Sequence, residues 1–460
     1  MACRKRVTPV NSQDLLYQGV YGMCSLRPHK ILGDQTSLAR RNTTGSSVHG
    51  ASRLESDDDS LRFEGRRVTS DPGHLALFLS GLGGGGAQRR VVTLAGAFAD
   101  RGHRVDLVVA SADGPLRTEL SPAVRLVPLD SRCARLPGIA SRRGPRVVAS
   151  FPALARYLAR ERPDVVLSTS NPANLACLWA RTWARVPIPV VVSVNVQLSA
   201  ATGERQRAWG PLLRTLVRRT YAKADAIVAN SQEVADDLLW SAGVPPERIA
   251  VIYNHLDAAA IRARAREPVK HPWAAPGGPP LVLAVGKLKH QKDFPTLLRA
   301  FARVRAVRPA RLVILGEGED RDQLERLARE LGVAADTALP GFVTNPFAWM
   351  ARAAVFAHSS AWEGFANVLC EALTCGCPVV STDCPGGASE ILDHGAIGPL
   401  VPVGDDRALA DAILALLSDP PDLEPLRASF ARFSVDAAVD RYLNVLLGAC
   451  GGVDAAPAPT

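Results

Sequence analysis

Short apolar runs alternate with longer amphipathic segments along most of the chain. The runs are rich in Val, Leu, Ile and Ala and predict strands at 75–79, 104–110, 124–129, 164–168, 190–194, 226–229, 248–253, 281–285, 311–315, 354–357, 378–381 and 400–403. Apolar residues spaced three or four apart predict helices at 87–100, 147–159, 212–222, 233–240, 294–305, 321–331, 407–417 and 435–447. Strands that are apolar throughout, alternating with helices, predict an α/β protein with parallel sheets covered on both faces.

A segment dense in Pro and Gly, 266–280, divides this alternation in two and is predicted to be a linker. We therefore expect two Rossmann-like domains, 73–265 and 281–430, that face each other across a cleft. Residues 431–460 are expected to form a terminal helix and a loose tail. Residues 1–72 are polar and lack periodicity, so we expect a disordered N-terminal extension.

Composition narrows the class of protein. Apolar residues make up 47% of the chain and charged residues 22%, as expected for packed cores in a soluble protein. The net charge is +9, without a clustered basic stripe, so nucleic-acid binding is not expected. Attraction to an anionic membrane surface, or simply Arg-rich codon usage, explains the basic excess equally well. No apolar run reaches the roughly 18 residues of a membrane-spanning helix. Nine cysteines without a secretory signal predict reduced thiols and a cytoplasmic location.

Four of these cysteines lie close together in the sequence, at Cys370, Cys375, Cys377 and Cys384. Such a cluster raises the alternative of a zinc site. The spacing is not that of paired C-x2-C knuckles, so small buried side chains beside a strand are the favoured interpretation. We expect no metal.

A glycine-rich loop at 81–86 joins the first predicted strand to the first helix. It matches G-x-G-x-x-G, the dinucleotide-binding pattern, which requires an acid about 20 residues further on. Asp106 is the candidate, but it falls near the start of its strand, roughly 13 Å from the end where a ribose would bind. A dehydrogenase is therefore not expected. A plain turn, or a loop that approaches a ligand closely, remains.

The most informative stretch begins after the strand at 354–357. Glu363 lies in a polar loop, a helix opens near Ala366, and Glu371 lies on that helix eight positions after Glu363. A helix N-terminus at the carboxyl end of a parallel strand suits a phosphate. Carboxylates would repel a phosphate, so we expect these two to accept hydrogen bonds from neutral hydroxyls, such as those of a ribose and a hexose. The alternative is a surface loop with two solvated glutamates.

This stretch, E-x7-E followed by EAL-x-CGCPVVSTDCPGG-x-x-EIL, resembles the donor site of the retaining glycosyltransferases of family four. The resemblance covers most of 74–420 and is strongest over 340–403. It implies the GT-B architecture, a nucleoside diphosphate sugar as donor, no metal or other cofactor, and a terminal helix that crosses back onto the first half. It also implies that Glu371 binds the ribose and that Glu363 binds the sugar.

The resemblance assigns further residues to the site. Lys292 matches a lysine that reaches the diphosphate, and Lys287 replaces an arginine, which keeps the charge but loses the bidentate fork. The alternative for this loop is a solvated basic segment. Asn195 stands where the family often has a histidine on the acceptor side, and it can bind but cannot carry a proton. The remaining donor-binding candidates are Gly85, Gly86, Gly286, Val343, Gly364, Phe365, Ala366, Asn367 and Val368.

The expected function is therefore retaining transfer of a sugar to a hydroxyl of a glycan or lipid-linked saccharide in surface polysaccharide or glycolipid synthesis. A soluble enzyme with a small sugar, phosphosugar or natural-product acceptor is one alternative. A non-catalytic binding protein with the same fold is another, because Asn195 replaces the histidine. The expected location is the cytoplasm, with peripheral contact at the inner face of its membrane.

Overall fold

The computed structural model describes residues 73–451 except Gly84, Asp130, 132–142, 199–209, Pro276 and 423–431. The predicted extension at 1–72 and the predicted tail after 451 lie outside the described residues.

The first half contains a parallel sheet with the strand order β3-β2-β1-β4-β5-β6-β7. Its strands are β1 (His74–Leu79), β2 (Arg104–Val109), β3 (Val124–Pro128), β4 (Val165–Thr169), β5 (Val190–Val194), β6 (Ala226–Ala229) and β7 (Ile249–Val251). Its helices are α1 (Gly86–Asp100), α2 (Arg143–Val148), α3 (Phe151–Glu161), α4 (Asn171–Ala184), α5 (Gly210–Tyr221) and α6 (Gln232–Ala242). Every strand is parallel to its neighbours, so all carboxyl ends lie at one edge of the sheet.

The second half contains a parallel sheet with the order β10-β9-β8-β11-β12-β13. Its elements, in chain order, are α7 (Ala258–Ala265), β8 (Leu281–Val285), α8 (Phe294–Val307), β9 (Arg311–Leu315), α9 (Arg321–Glu330), β10 (Thr337–Gly341), α10 (Phe347–Met350), β11 (Val355–His358), α11 (Asn367–Thr374), β12 (Val379–Thr382), α12 (Ala388–Ile391), β13 (Leu400–Val401) and α13 (Asp406–Ser418). These two sheets confirm the predicted fold class.

The final helix, α14 (Val435–Gly451), returns to the first half. Val439, Tyr442 and Leu446 are buried in the same apolar cluster as β1, β2 and α1. The predicted linker, 266–280, lies against the second half. Its Trp273 packs on the second core, and the Arg311 guanidinium lies 4.7 Å from the centre of the Trp273 ring.

One local prediction was wrong. The helix predicted at 147–159 is interrupted, and Ser150 Oγ donates to the Val147 carbonyl (2.6 Å) before α3 begins with Pro152 in its first turn. Proline lacks an N–H and therefore suits the start of a new helix better than the interior of a long one. The same rule explains Asn171-Pro172, which opens α4 with Pro172 in the first turn.

Asp106, rejected above as a ribose ligand, has a structural role. Its side chain is 0% exposed and accepts hydrogen bonds from Arg125 Nε (2.7 Å), Tyr157 Oη (2.6 Å) and His74 Nε2 (2.9 Å). Burial raises the pKa of Asp106, but these hydrogen bonds, that of Arg125 first, outweigh burial and hold the pKa well below its ordinary value. The carboxylate thereby joins β1, β2, β3 and α3.

Replacing Asp106 by asparagine should lower the free energy of unfolding by about 1.5 kcal/mol, because a neutral amide accepts weaker hydrogen bonds from Arg125. A group with a depressed pKa stabilises the fold above its ordinary value, so the loss should be complete at neutral pH and shrink in acid. Urea unfolding at several pH values measures this. Glu119→Gln, which breaks an exposed pair with Arg89, is the control, and an equal loss for both would contradict the prediction.

Candidate active site

The candidate site lies where the carboxyl ends of the two sheets approach each other. Gly85 caps α1 and Gly86 begins it, and a Cβ added to Gly86 would lie 3.8 Å from Asn367 Nδ2 at the start of α11. Asn254 Nδ2 donates to Asn367 Oδ1 (2.9 Å), which links the two halves at the same point. The N-termini of two helices from different halves are therefore neighbours. Their unpaired N–H groups make this edge suitable for an anion.

Glu363 is held by several groups from the second half. Its Oε1 contacts Lys292 Nζ (2.5 Å) and accepts a hydrogen bond from Ser360 Oγ (2.7 Å). His358 Nε2 lies 3.3 Å from the same oxygen, and Gln291 Nε2 donates to Oε2 over 3.4 Å. The Glu363 side chain is only 10% exposed. The carboxylate is therefore an oriented part of the site, which argues against a solvated loop.

The charge of Glu363 is maintained by its neighbours. Burial raises the pKa of this carboxyl, but the His358 hydrogen bond and the Lys292 charge outweigh burial and hold the pKa at about 2. Burial lowers the pKa of His358, whose Nδ1 lies 2.8 Å from Ser381 Oγ. At neutral pH, an ionised Glu363 therefore faces a neutral imidazole and a lysine ammonium.

The basic loop after β8 contains the two predicted lysines in different situations. The side chain of Lys292 lies against Gly286, where an added Cβ would meet Lys292 Cε at 3.0 Å. Lys287 is exposed and forms no ion pair with the described residues. Lys289, which the sequence analysis did not select, is half-buried, and burial together with the Lys292 charge lowers its pKa. The structure brings Lys292, but not Lys287, into contact with Glu363.

Glu371 differs from Glu363 in its surroundings. It lies on α11, is half-buried, and forms no ion pair or hydrogen bond with the described side chains. Burial raises the pKa of Glu371 to about 7, and the charges of Arg89, Lys292 and Arg264 oppose that shift only in part. An acceptor group without a protein partner is available to a ligand.

The remaining donor-side candidates contribute mainly backbone. Phe365 and Ala366 are buried, and Phe365 packs against Tyr253 with ring centres 6.0 Å apart, so both side chains belong to the packed interior. Val343 packs on the second core. Asn367 and Val368 open α11 and are half-buried. The Asn367 N–H already donates to the Phe365 carbonyl (2.9 Å), so the N–H groups of Ala366 and Val368 remain the part of this segment that a phosphate could reach.

Asn195 follows β5 and touches the second half. Its carbonyl oxygen would lie 1.8 Å from a Cβ added to Gly364, so glycine is needed for the two backbones to pass. Asn195 Oδ1 accepts a hydrogen bond from Arg90 Nη2 (3.2 Å). The structure thus places Asn195 beside the Glu363 loop.

Replacing Gly364 by alanine should push the halves apart and lower kcat/KM about tenfold, since misplacement by about 1 Å can cost that much or more. Small-angle scattering and steady-state kinetics measure the two effects. Gly96→Ala is the control because its Cβ would meet Ser121 at an ordinary 3.6 Å. An unchanged radius of gyration with unchanged activity would show that the close approach is unimportant.

A pair of glutamates, not selected from the sequence, links the halves further along the cleft. Glu390 accepts hydrogen bonds from the backbone N–H groups of Gln232 (2.9 Å) and Glu233 (3.2 Å) at the start of α6. Glu233 in turn accepts from Gly386 N. Glu390 was quoted only as part of a motif, because its partners lie about 160 positions away in the chain.

Two absences concern the described residues alone. Within them, no three His, Cys, Asp or Glu side chains are grouped so as to hold a metal ion, and the four clustered cysteines have free thiols. The described helices also include none that is long and apolar enough to cross a membrane.

Comparison with known proteins identifies the family. Residues 84–260 match the family model described as Glycosyltransferase Family 4, and residues 264–433 match Glycosyl transferases group 1. The N-acetylgalactosamine-N,N'-diacetylbacillosaminyl-diphospho-undecaprenol 4-alpha-N-acetylgalactosaminyltransferase of Campylobacter jejuni is 30% identical over 347 residues, 75% of this chain and 90% of that protein. The lipopolysaccharide core biosynthesis glycosyltransferase LpsE of Rhizobium meliloti is 28% identical over 375 residues, 79% of this chain and 96% of that protein.

A solved structure supports the fold. HepE of Anabaena, crystallised in complex with UDP, superposes with a TM-score of 0.65 and 22% identity over 81% of this chain and 99% of that chain. Three findings indicate the same family: the two Rossmann-like halves, the two matching family models, and a relative matched over nine-tenths of its length. The chain therefore belongs to glycosyltransferase family four and is a glycosyltransferase with the GT-B fold.

Proposed function

We propose that the protein transfers a sugar from a nucleoside diphosphate sugar to a hydroxyl of a glycan or lipid-linked saccharide, with retention of the anomeric configuration. The contact between Lys292 and Glu363, beside the start of α11, is the observation that carries this proposal. A cation for the diphosphate and a carboxylate for the sugar hydroxyls then lie side by side, next to the bond that breaks.

The leaving diphosphate gains negative charge as the glycosidic bond breaks. Lys292 and the N–H groups of Ala366 and Val368 would stabilise that charge, so the proposed reaction needs no metal or other cofactor. Glu371 would accept hydrogen bonds from the ribose hydroxyls. HepE, the structural neighbour solved with UDP, supports a nucleotide as the ligand of such a fold.

Retention follows in this proposal from how Glu363 is held. Its Oε1 is already engaged by Lys292 and Ser360, which makes the carboxylate a poor nucleophile. The acceptor oxygen would instead bond to the anomeric carbon on the face from which the diphosphate departs. The carbon–oxygen bond to the phosphate breaks, and the acceptor proton passes to the departing phosphate oxygen.

The acceptor is proposed from the relatives. The Campylobacter jejuni protein is named for transfer to a saccharide linked to diphospho-undecaprenol, and the Rhizobium meliloti protein for lipopolysaccharide core synthesis. A lipid-linked saccharide, bound by the first half around Asn195 and the glycine-rich loop, is the acceptor that we infer. We place the enzyme peripherally at the cytoplasmic membrane face, where its +9 charge favours anionic lipid.

The test is turnover of UDP- and GDP-sugars with a diphospho-polyprenol-linked saccharide in mixed micelles, compared with a panel of soluble sugars and phosphosugars. Product NMR reads the anomeric configuration, and vesicle sedimentation compares anionic with neutral lipid at rising salt. Transfer to soluble acceptors alone would contradict the lipid-linked acceptor, and an inverted product would contradict retention. Donor binding without any turnover would point to the non-catalytic alternative.

A further inference from the structure

The orientation of the Asn195 amide is determined by Arg90. Arg90 Nη2 donates to Asn195 Oδ1 over 3.2 Å. A guanidinium only donates hydrogen bonds, so the amide atom that faces it must be the oxygen. The amide nitrogen therefore lies on the other side. Asn195 Nδ2 is buried and has no hydrogen-bond partner among the described residues.

Arg90 is an unusual residue in its own right. Its Nε is also buried without a partner, and Arg90 forms no ion pair within the described part of the chain. Burial lowers its pKa to about 10. Arg90 is half-buried, and a largely enclosed cation without a carboxylate is costly, so that well-packed apolar side chains are often as stable or more so. Packing alone does not explain an arginine at this position, whereas the hydrogen bond to Asn195 does.

The residues with unpaired donors line a small cavity in the first half, beside Tyr442 of α14. The cavity has a volume of about 10 Å³ and is lined by Arg90, Asn195, Thr169, Ser193, Asn254 and His255, among others. This is room for one water molecule or one oxygen atom of a ligand. His255 Nε2 is buried there without a partner, and burial, with the Arg90 charge, lowers the pKa of His255 to about 4. The only formal charge on these six side chains at neutral pH is therefore that of Arg90.

We propose that Arg90 is a positioning residue that fixes Asn195 as a hydrogen-bond donor, so that the substrate group bound by the Asn195 amide is an oxygen that accepts. This inference rests on the proposed function, and the group is an oxygen of the acceptor alcohol. The Asn195 amide then donates a hydrogen bond to a lone pair of that oxygen. The proton of the acceptor alcohol stays free to pass to the departing phosphate. A residue chosen only to fill the cleft would not need a fixed amide orientation.

Asn195→Asp separates this proposal from a purely structural role. The aspartate accepts from Arg90 and supplies the ion pair that Arg90 lacks, but it has no N–H to donate. We expect an unchanged or higher melting temperature, unchanged affinity for nucleoside diphosphate, and an acceptor kcat/KM about tenfold lower. Wild-type kcat/KM in Asn195→Asp would overturn the proposal, since a structural contact would be kept or improved.

Arg90 is tested through its coupling to Asn195. Arg90→Met should lower the acceptor kcat/KM about tenfold, whereas Arg90→Lys, which still donates, should restore most of it. If Arg90 acts through the amide, Arg90→Met should cause no further loss in an Asn195→Ala background. Additive losses would overturn the proposal, and Arg90→Lys keeps the test valid if Arg90→Met fails to fold. A wild-type enzyme that transfers no sugar would instead contradict the proposed function.

Discussion

Replacing Lys292 by methionine should lower kcat about a hundredfold, as is typical for loss of one group that stabilises developing charge. The diphosphate gains charge as the glycosidic bond breaks, so the effect of Lys292 should be larger in the transition state than in the bound donor. Affinity for the free nucleoside should stay near that of the wild type. Steady-state kinetics with the donor sugar, and calorimetry with nucleoside and nucleoside diphosphate, measure both quantities.

The control for this variant is Lys287→Met, which removes the same charge from an exposed position of the same loop. It should reduce kcat much less. Because Lys292 also pairs with the buried Glu363, its loss should reduce stability to urea, and Lys292→Met combined with Glu363→Gln should recover part of that stability. Normal turnover and normal diphosphate affinity in Lys292→Met would mean that the phosphates bind elsewhere.

Affinity for the free nucleoside should rise about tenfold between pH 6 and pH 8, because Glu371 must ionise to accept hydrogen bonds from both ribose hydroxyls. Burial raises its pKa to about 7, so it is mostly protonated at pH 6 and mostly ionised at pH 8. Glu371→Gln should remove this pH dependence and weaken binding about thirtyfold at pH 8, as expected for lost hydrogen bonds to a charged group. Because the ribose stays neutral throughout the reaction, the loss of Glu371 should change KM more than kcat.

Calorimetry with a nucleoside is the measurement, since a diphosphate would itself titrate near this pH. Glu363 provides an internal comparison because its pKa, held at about 2, leaves it ionised throughout the range. In the free protein the pKa of Glu371 is shifted upwards, whereas folding usually shifts the pKa of a carboxyl group downwards. The free energy of unfolding should fall as the pH rises from the ordinary value of 4.5 towards about 7. Nucleoside affinity independent of pH in the wild type would refute the assignment of Glu371.

Much of the architecture was predictable because buried parallel strands are apolar at nearly every position. The strands at 281–285, 311–315 and 226–229 are confirmed to the residue. Serine is a residue type that favours helix N-caps, and the Ser231 side chain accepts from Val234 N at the start of α6. The prediction of secondary structure failed where proline is compatible with more than one kind of element. Pro340 lies within β10, which was not predicted, and an edge strand tolerates proline because one side of its backbone needs no partner.

The chemical groups of the site and their order could be identified from short stretches of the chain. E-x7-E, the lysines after β8 and the glycines near both helix starts are local patterns, so the residue types were enough to select them. Which of these groups touch depends on the packed fold, because Lys292 and Glu363 are 71 positions apart, and Arg90 and Asn195 are 105 apart. The difference between the two carboxylates, one paired with a pKa held at about 2 and one unpaired with a pKa raised to about 7, comes from burial and from neighbours on other strands and helices. Desolvation and partner distance are properties of the packed chain, and local sequence does not encode them.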